Sequence, residues 1–223
     1  MAYHHGNLRE ALLERAAEVI TERGVEAVSL RGLARDLGVS HAAPSRHFAD
    51  RAALLREVAK VGFRRSVEAM LAGADDVGAD PVARYRALGR SYVRFAVEDP
   101  AYFRAMNHPE VRAHADDELA ELRRGFMATL RDGVVAAQRA GWQPDADPEA
   151  LTAFSIAAAS GAADLLGDAR WGRTLGVEDA AARDALADAV LDLVVQRTHT
   201  AALPSAHGDT PQPGRETDTR RAS

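Results

Sequence analysis

Apolar residues recur through this chain with a period close to 3.6, and no stretch alternates as a half-buried strand must. That periodicity confines the fold to packed helices, an all-α class of about nine. Asn7 and Glu10 form a capping pair ahead of the first stripe, Leu12, Ala16, Val19 and Ile20, which Gly24 closes. Ser29 caps a second helix with Leu30, Leu33, Ala34 and Leu37 on its inner side. A Gly38-Val39-Ser40 turn leads into a short third helix ending near Phe48, and Asp50 caps a fourth over about 51–72. Past a Gly/Asp-rich stretch at 73–80, read as a loop, Tyr85, Leu88, Tyr92 and Phe95 continue the helical spacing until Asp99-Pro100 breaks it. A short helix holding Tyr102, Phe103 and Met106 follows, then a long one with Leu119, Leu122, Phe126, Leu130 and Val134 inward and Gly141 at its end. Asp147-Pro148 pairs an N-cap with proline at the first helical position and opens a helix with small side chains around 157–163. The last helix spans about 178–197, and the polar residues 199–223 are expected to form a disordered tail.

The chain has 223 residues and no cysteine, which excludes disulfides, thiolate metal sites and thiol catalysis. No apolar run is expected to reach the roughly 18 residues of a membrane span, and no charged-then-apolar leader opens the chain, so a cytoplasmic protein without membrane partners is expected. The net charge of −5 hides an asymmetry: residues 1–65 carry 11 basic and 8 acidic side chains, residues 66–223 carry 17 and 25. A basic head on an acidic body can approach phosphate.

Residues 29–55, SLRGLARDLGVSHAAPSRHFADRAALL, carry the functional signal. A helix-turn-helix locks two short helices steeply so that the second can enter the major groove. It requires apolar residues such as Leu33, Ala34, Leu37, Val39 and Phe48, with glycine at the turn, and all are present. Ser29 and Ser40 would expose helix N-termini whose free N–H groups suit phosphate. Pro44 removes one backbone donor inside the would-be recognition helix, so that helix has an irregular first turn or starts late.

Over about residues 7–65 the chain closely resembles the DNA-binding domain of TetR/AcrR-type transcriptional regulators. The resemblance rests on Ser29-Leu30-Arg31 with Leu33-Ala34, on Leu37-Gly38-Val39-Ser40, on Arg46-His47-Phe48 and on Asp50-Arg51 with Leu54-Leu55. Many members carry an aromatic where this chain has Ser45. Residues 156–161 also lack the Trp and His-Gly of the subgroup that its opening Tyr3-His4-His5-Gly6 resembles. The resemblance implies three regions: a helix-turn-helix domain over 1–65, a helical regulatory and dimerisation domain over 66–198, and the tail. It implies a homodimeric repressor that binds a palindromic double-stranded operator and is released by a small molecule.

Ser29, Arg31, Ser40, His41, Ala42, Ala43, Ser45, Arg46, His47 and Arg51 are the expected DNA-contacting residues. Tyr92, Phe95, Phe103, Met106, Phe126, Leu130 and Phe154 are either plain core or the lining of an apolar pocket for an apolar or aromatic effector. Ala158, Gly161, Ala162 and Leu165, with Leu186, Val190 and Leu193, are the expected dimer contacts. No cofactor, metal site or catalytic residue is expected; His108 and His114, six apart, do not share a helical face. The residues leave open one other class, a helical carrier or enzyme whose N-terminal module makes protein contacts.

Overall fold

A computed structural model of the chain describes residues 8–167, 169–177 and 179–197, so Asn7, the opening Tyr3-His4-His5-Gly6 and the expected tail lie outside the described residues. Ten α-helices and two 3-10 turns make up the described fold: α1 Leu8–Arg23, α2 Leu30–Asp36, α3 Arg51–Asp76, α4 Pro81–Glu98, α5 Pro100–Asn107, α6 Pro109–Ala113, α7 Asp117–Arg139, α8 Pro148–Gly167, α9 Ala169–Leu175 and α10 Ala180–Arg197. The all-helical class stands as expected.

Local chemistry sets most of the boundaries. The Ser29 side chain accepts from Gly32 N at 3.1 Å, Asp50 from Ala53 N at 2.7 Å and Asp116 from Leu119 N at 2.9 Å, each satisfying an orphan donor of a first turn. Gly24 (φ 84°) and Gly38 (φ 68°) take the left-handed backbone that ends α1 and α2. The 73–80 stretch differs from expectation. Helix α3 runs on to Asp76, because Met70 and Ala74 still have core to bury against, and Asp75 ends up bonded to Arg84 at 2.7 Å. Proline at the start of α5 and again of α6 splits one expected helix in two.

At 26 residues α3 is about 39 Å long and joins the small N-terminal head to the body. Leu54, Leu55, Val58 and Ala59 bury against the head, and Phe63, Met70 and Ala74 against the body, within one continuous apolar core. The division expected at residue 65, within a linking helix of about 51–72, lies along α3. Helix α4 packs against α3, α7, α8 and α10, making it the centre of the body. A smaller cluster of Tyr85, Val134, Ala137, Trp142 and Leu151 closes the far end, where Trp142 Nε1 donates to Val195 O at 2.9 Å.

Helix α8 corrects the expectation about apolar runs. By length and composition it could cross a bilayer, yet it packs in the body and 33% of its most apolar stretch is buried. Its apolarity comes largely from alanines, whose small side chains make no stripe of large apolar residues.

Candidate nucleic-acid interface

The third helix of the head is a single 3-10 turn, Pro44–Arg46. Ala43 N first bonds Ser40 O at 2.9 Å, and His47 N then bonds Pro44 O at 2.9 Å. Pro44 therefore sits where its missing donor costs nothing, and the helix starts late. Pro44 and Phe48 are buried beneath the turn, while Ser40, His41, Ala42, Ser45, Arg46 and His47 are exposed and Ala43 is half-buried. Ser29, Arg31, Arg35 and His41 come together with Arg23 along one shallow groove of about 260 Å³.

The electrostatics of that groove favour an anion. Its one acid, Asp36, accepts two bonds from Arg15 at 3.1 Å each, and these hold its carboxyl below the usual range. Arg35 also reaches Asp36, at 3.4 Å. Among the described residues neither Arg31 nor Arg46 has an ion-pair partner, so both guanidiniums are available to phosphate.

Arg51 is a correction. Its guanidinium bonds Val28 O at 3.1 Å, Val25 O at 3.0 Å, Glu26 at 3.1 Å and Glu110. Four protein oxygens take its donors, so it ties α3 to the 3-10 turn Val25–Ala27 and to α6 instead of facing DNA. Around it lies a polar seam that the periodicity of the sequence does not reveal, because its partners are some 80 residues apart. Arg104 donates to Ile20 O at 3.2 Å and His108 Nε2 lies 3.0 Å from Glu26. His108 and then Arg51 hold the Glu26 carboxyl below its ordinary value. Lower on α3, Lys60, the chain's single lysine, is 5% exposed and lies 2.7 Å from Glu57, 2.7 Å from Glu118 and 2.9 Å from Asp116. Burial works against its charge, but the three carboxylates overcome that and raise its pKa.

The expected pocket residues converge, apart from Phe154, but they fill their own space. Tyr92, Phe95, Phe103, Met106, Phe126 and Leu130 are all buried. The Tyr92 ring lies 5.9 Å from Phe103 and 5.4 Å from Phe126, contact distances for packed rings. The crevice beside Tyr92 and Leu130 is about 30 Å³, room for one water. Phe154 is 49% exposed on the opposite side of α8 and is no part of this cluster.

The expected dimer contacts divide. Gly161, Leu165 and Leu193 are exposed, and Ala158 is partly so. Ala162 faces inward with the core and is corrected to intrachain packing, while Leu186 and Val190 are half-buried, packed on the core on one side and open on the other. Phe154, Ala157, Ala185 and Ala189 also lie on the open surface. Helical spacing marks a stripe, but not whether its occupant lies in the same chain. Among the described residues no cluster of metal-ligating side chains occurs.

Comparison with known proteins agrees with this architecture. Residues 12–58 match the model of bacterial regulatory proteins of the tetR family, and residues 85–194 match the tetracyclin repressor-like C-terminal domain. No curated protein matches the chain. Among solved structures, a protein of unknown function from Rhodococcus sp. RHA1 is 33% identical with a TM-score of 0.70, over 88% of this chain and 98% of that one. A bacterial regulatory protein in the tetR family from Rhodococcus RHA1 superposes with a TM-score of 0.69 at 20% identity, over 86% and 97%. The regulator PfmR from Thermus thermophilus superposes with a TM-score of 0.59 at 22% identity, over 83% and 97%. At those two identities only the fold is shared. With both halves matched, and with the helix-turn-helix in place, the chain belongs to the TetR family of transcriptional regulators.

Proposed function

We propose that the protein is a homodimeric repressor that binds a palindromic operator through Arg31, Arg46 and the exposed recognition turn, and that a small molecule releases it. It acts by binding, without catalysis, in the cytoplasm where DNA is accessible. The observation that carries the reading is a pair of guanidiniums, unpaired among the described residues, beside an exposed turn whose neighbouring carboxylate is already paired with Arg15. Ser29, Ser40 and Ser45 supply hydroxyl donors to the backbone, and His41, Ala42, Ala43 and His47 are positioned against base edges or sugar. Two such heads about 34–36 Å apart would enter successive major grooves. The open apolar surface of α8 and α10, with Phe154, Leu165 and Leu193 exposed, supports the dimer.

Binding of the purified chain to random and to selected duplexes, at several salt concentrations, tests the reading. The expected result is a log–log salt slope of several phosphates for both, with the selected palindrome bound about 10³-fold or more tightly. A protein that fails to retain DNA at low salt would refute it.

A further inference from the structure

The core aromatics leave no room inside, but directly outside them lies an open groove of about 530 Å³, within the range of small-molecule sites. Phe103, packed edge-to-face against Tyr92, lines it together with Pro100 and Arg104 of α5. The facing wall carries Asp164 of α8 and Trp171 of α9. Trp171 is 49% exposed, an indole face left open to solvent. Asp164 is exposed and has no ion-pair or hydrogen-bond partner among the described residues. On the other wall Arg104 is occupied: it donates to Ile20 O at 3.2 Å and to Thr21 O at 3.5 Å, both in the last turn of α1.

We propose that this groove binds an organic cation with a broad apolar body, its charge held between the Trp171 ring and the Asp164 carboxylate. The proposal rests on the reading of the protein as a ligand-responsive regulator and gives its effector a chemical class. An indole face and an unpaired carboxylate both attract a cation, and the carboxylate repels an anion. Arg104, on the other wall, commits its Nη1 to backbone carbonyls of the head, which leaves the Trp171 and Asp164 wall as the unpartnered side of the groove. Phe103, Pro100 and Leu165 supply the apolar surface for the body of the ligand. Leu165 also belongs to the face assigned above to a second subunit, so one rim of the groove is completed in the dimer. A ligand in this groove lies against Arg104, and so against a bond between the body and α1.

Isothermal titration of the full-length protein with three probes sharing one ring tests the proposal: 1-naphthylmethyl-trimethylammonium, neutral 1-naphthylmethanol and anionic 1-naphthylacetate. The cation is expected to bind about fivefold tighter than the neutral probe, and the anion most weakly. Asp164→Asn lowers the preference for the cation while leaving the neutral probe's affinity unchanged. Trp171→Leu weakens the cation by about fivefold, and unchanged melting temperatures show that both variants fold. No binding by the cation at millimolar concentration, equal or tighter binding of the anion, or an unaltered preference in Asp164→Asn each overturns it. Retention of duplex DNA by the ligand-free protein is measured in parallel, and its failure refutes the regulator reading while the calorimetry judges the groove separately.

Discussion

Arg46 and Arg51 look alike in the sequence, two arginines flanking the end of the recognition segment, and the structure gives them opposite jobs. Arg46 is exposed and has no ion-pair partner among the described residues, whereas Arg51 spends its donors on Val25 O, Val28 O, Glu26 and Glu110. Arg46→Ala is therefore expected to weaken specific and non-specific DNA binding together and to lower the salt slope by about 1, with the melting temperature unchanged. Arg51→Ala is expected to cost about 2–3 kcal/mol of stability, since charged hydrogen bonds are lost and two carbonyls lose a donor. Denaturant titration beside a DNA-binding assay separates them; equal stability loss in both variants would contradict the assignment. The Lys60 cluster yields a prediction in pH. The Leu119 amide and then Lys60 depress the Asp116 carboxyl, and Lys60 depresses that of Glu118. A depressed carboxyl contributes stability that is full above its unfolded pKa, near 4, and is lost as the pH falls through the lower folded value. The Asp116→Asn/Glu118→Gln double variant should melt below the parent at pH 7, and the gap should shrink as both are taken to pH 3. A gap constant across that range would remove these groups from the acid response.

Helices meet closely where side chains are missing. A Cβ on Gly62 would lie 2.8 Å from Met106 Sδ and 3.1 Å from Tyr102 Cβ, so glycine is what allows α5 to lie against the middle of α3. Gly62→Val should cost about 1–3 kcal/mol by overpacking. Because α5 also carries Arg104, DNA affinity should fall even at temperatures where the variant stays folded. Thermal melts with DNA titrations at low temperature check this, and intact affinity with lowered stability would show that the α5 contact does not set the head. The same elements mark what the sequence could and could not convey. Caps, glycines and prolines act within a turn or two, so Ser29, Asp50, Gly24, Gly38 and Asp147-Pro148 placed helix ends that the structure keeps. The extension of α3 to Asp76 depends on core it meets from distant helices, and the local signals at Gly73 and Gly78 could not show that. Arg104, His108 and Glu110 act on residues 20–51, contacts with no period and no motif. Phe154 and Ala162 lie on adjoining parts of one apolar helix, where a stripe of alanines leaves the inward direction undefined. The residues of the recognition turn were legible because a helix-turn-helix fixes both their order and their spacing.

At the scale of the molecule α8 and α10 present an open surface, where Phe154 (49%), Leu165 (40%) and Leu193 (52%) stand exposed to water. Large apolar side chains grouped in this way are costly on a lone subunit and become favourable when a second copy covers them. Neighbouring positions Ala157, Gly161, Ala185 and Ala189 are small, which lets two helices approach closely. Gly161 and Ala162 are adjacent in sequence and about 100° apart around the helix, the first open and the second buried, and that contrast makes the test. A Cβ on Gly161 meets nothing within 4 Å, whereas Ala162 is 6% exposed and packed in the core. Gly161→Arg should leave the subunit folded, with melting behaviour independent of protein concentration, and should sediment as a monomer at micromolar concentration where the parent is a dimer. DNA affinity should drop sharply with it, because a single head offers half the phosphate and base contacts of a two-headed clamp. Ala162→Arg should instead lose the fold, since a guanidinium cannot be buried there unpaired. A monomeric parent would refute the dimer, and a Gly161→Arg protein that remains dimeric would place the partner surface elsewhere on the molecule.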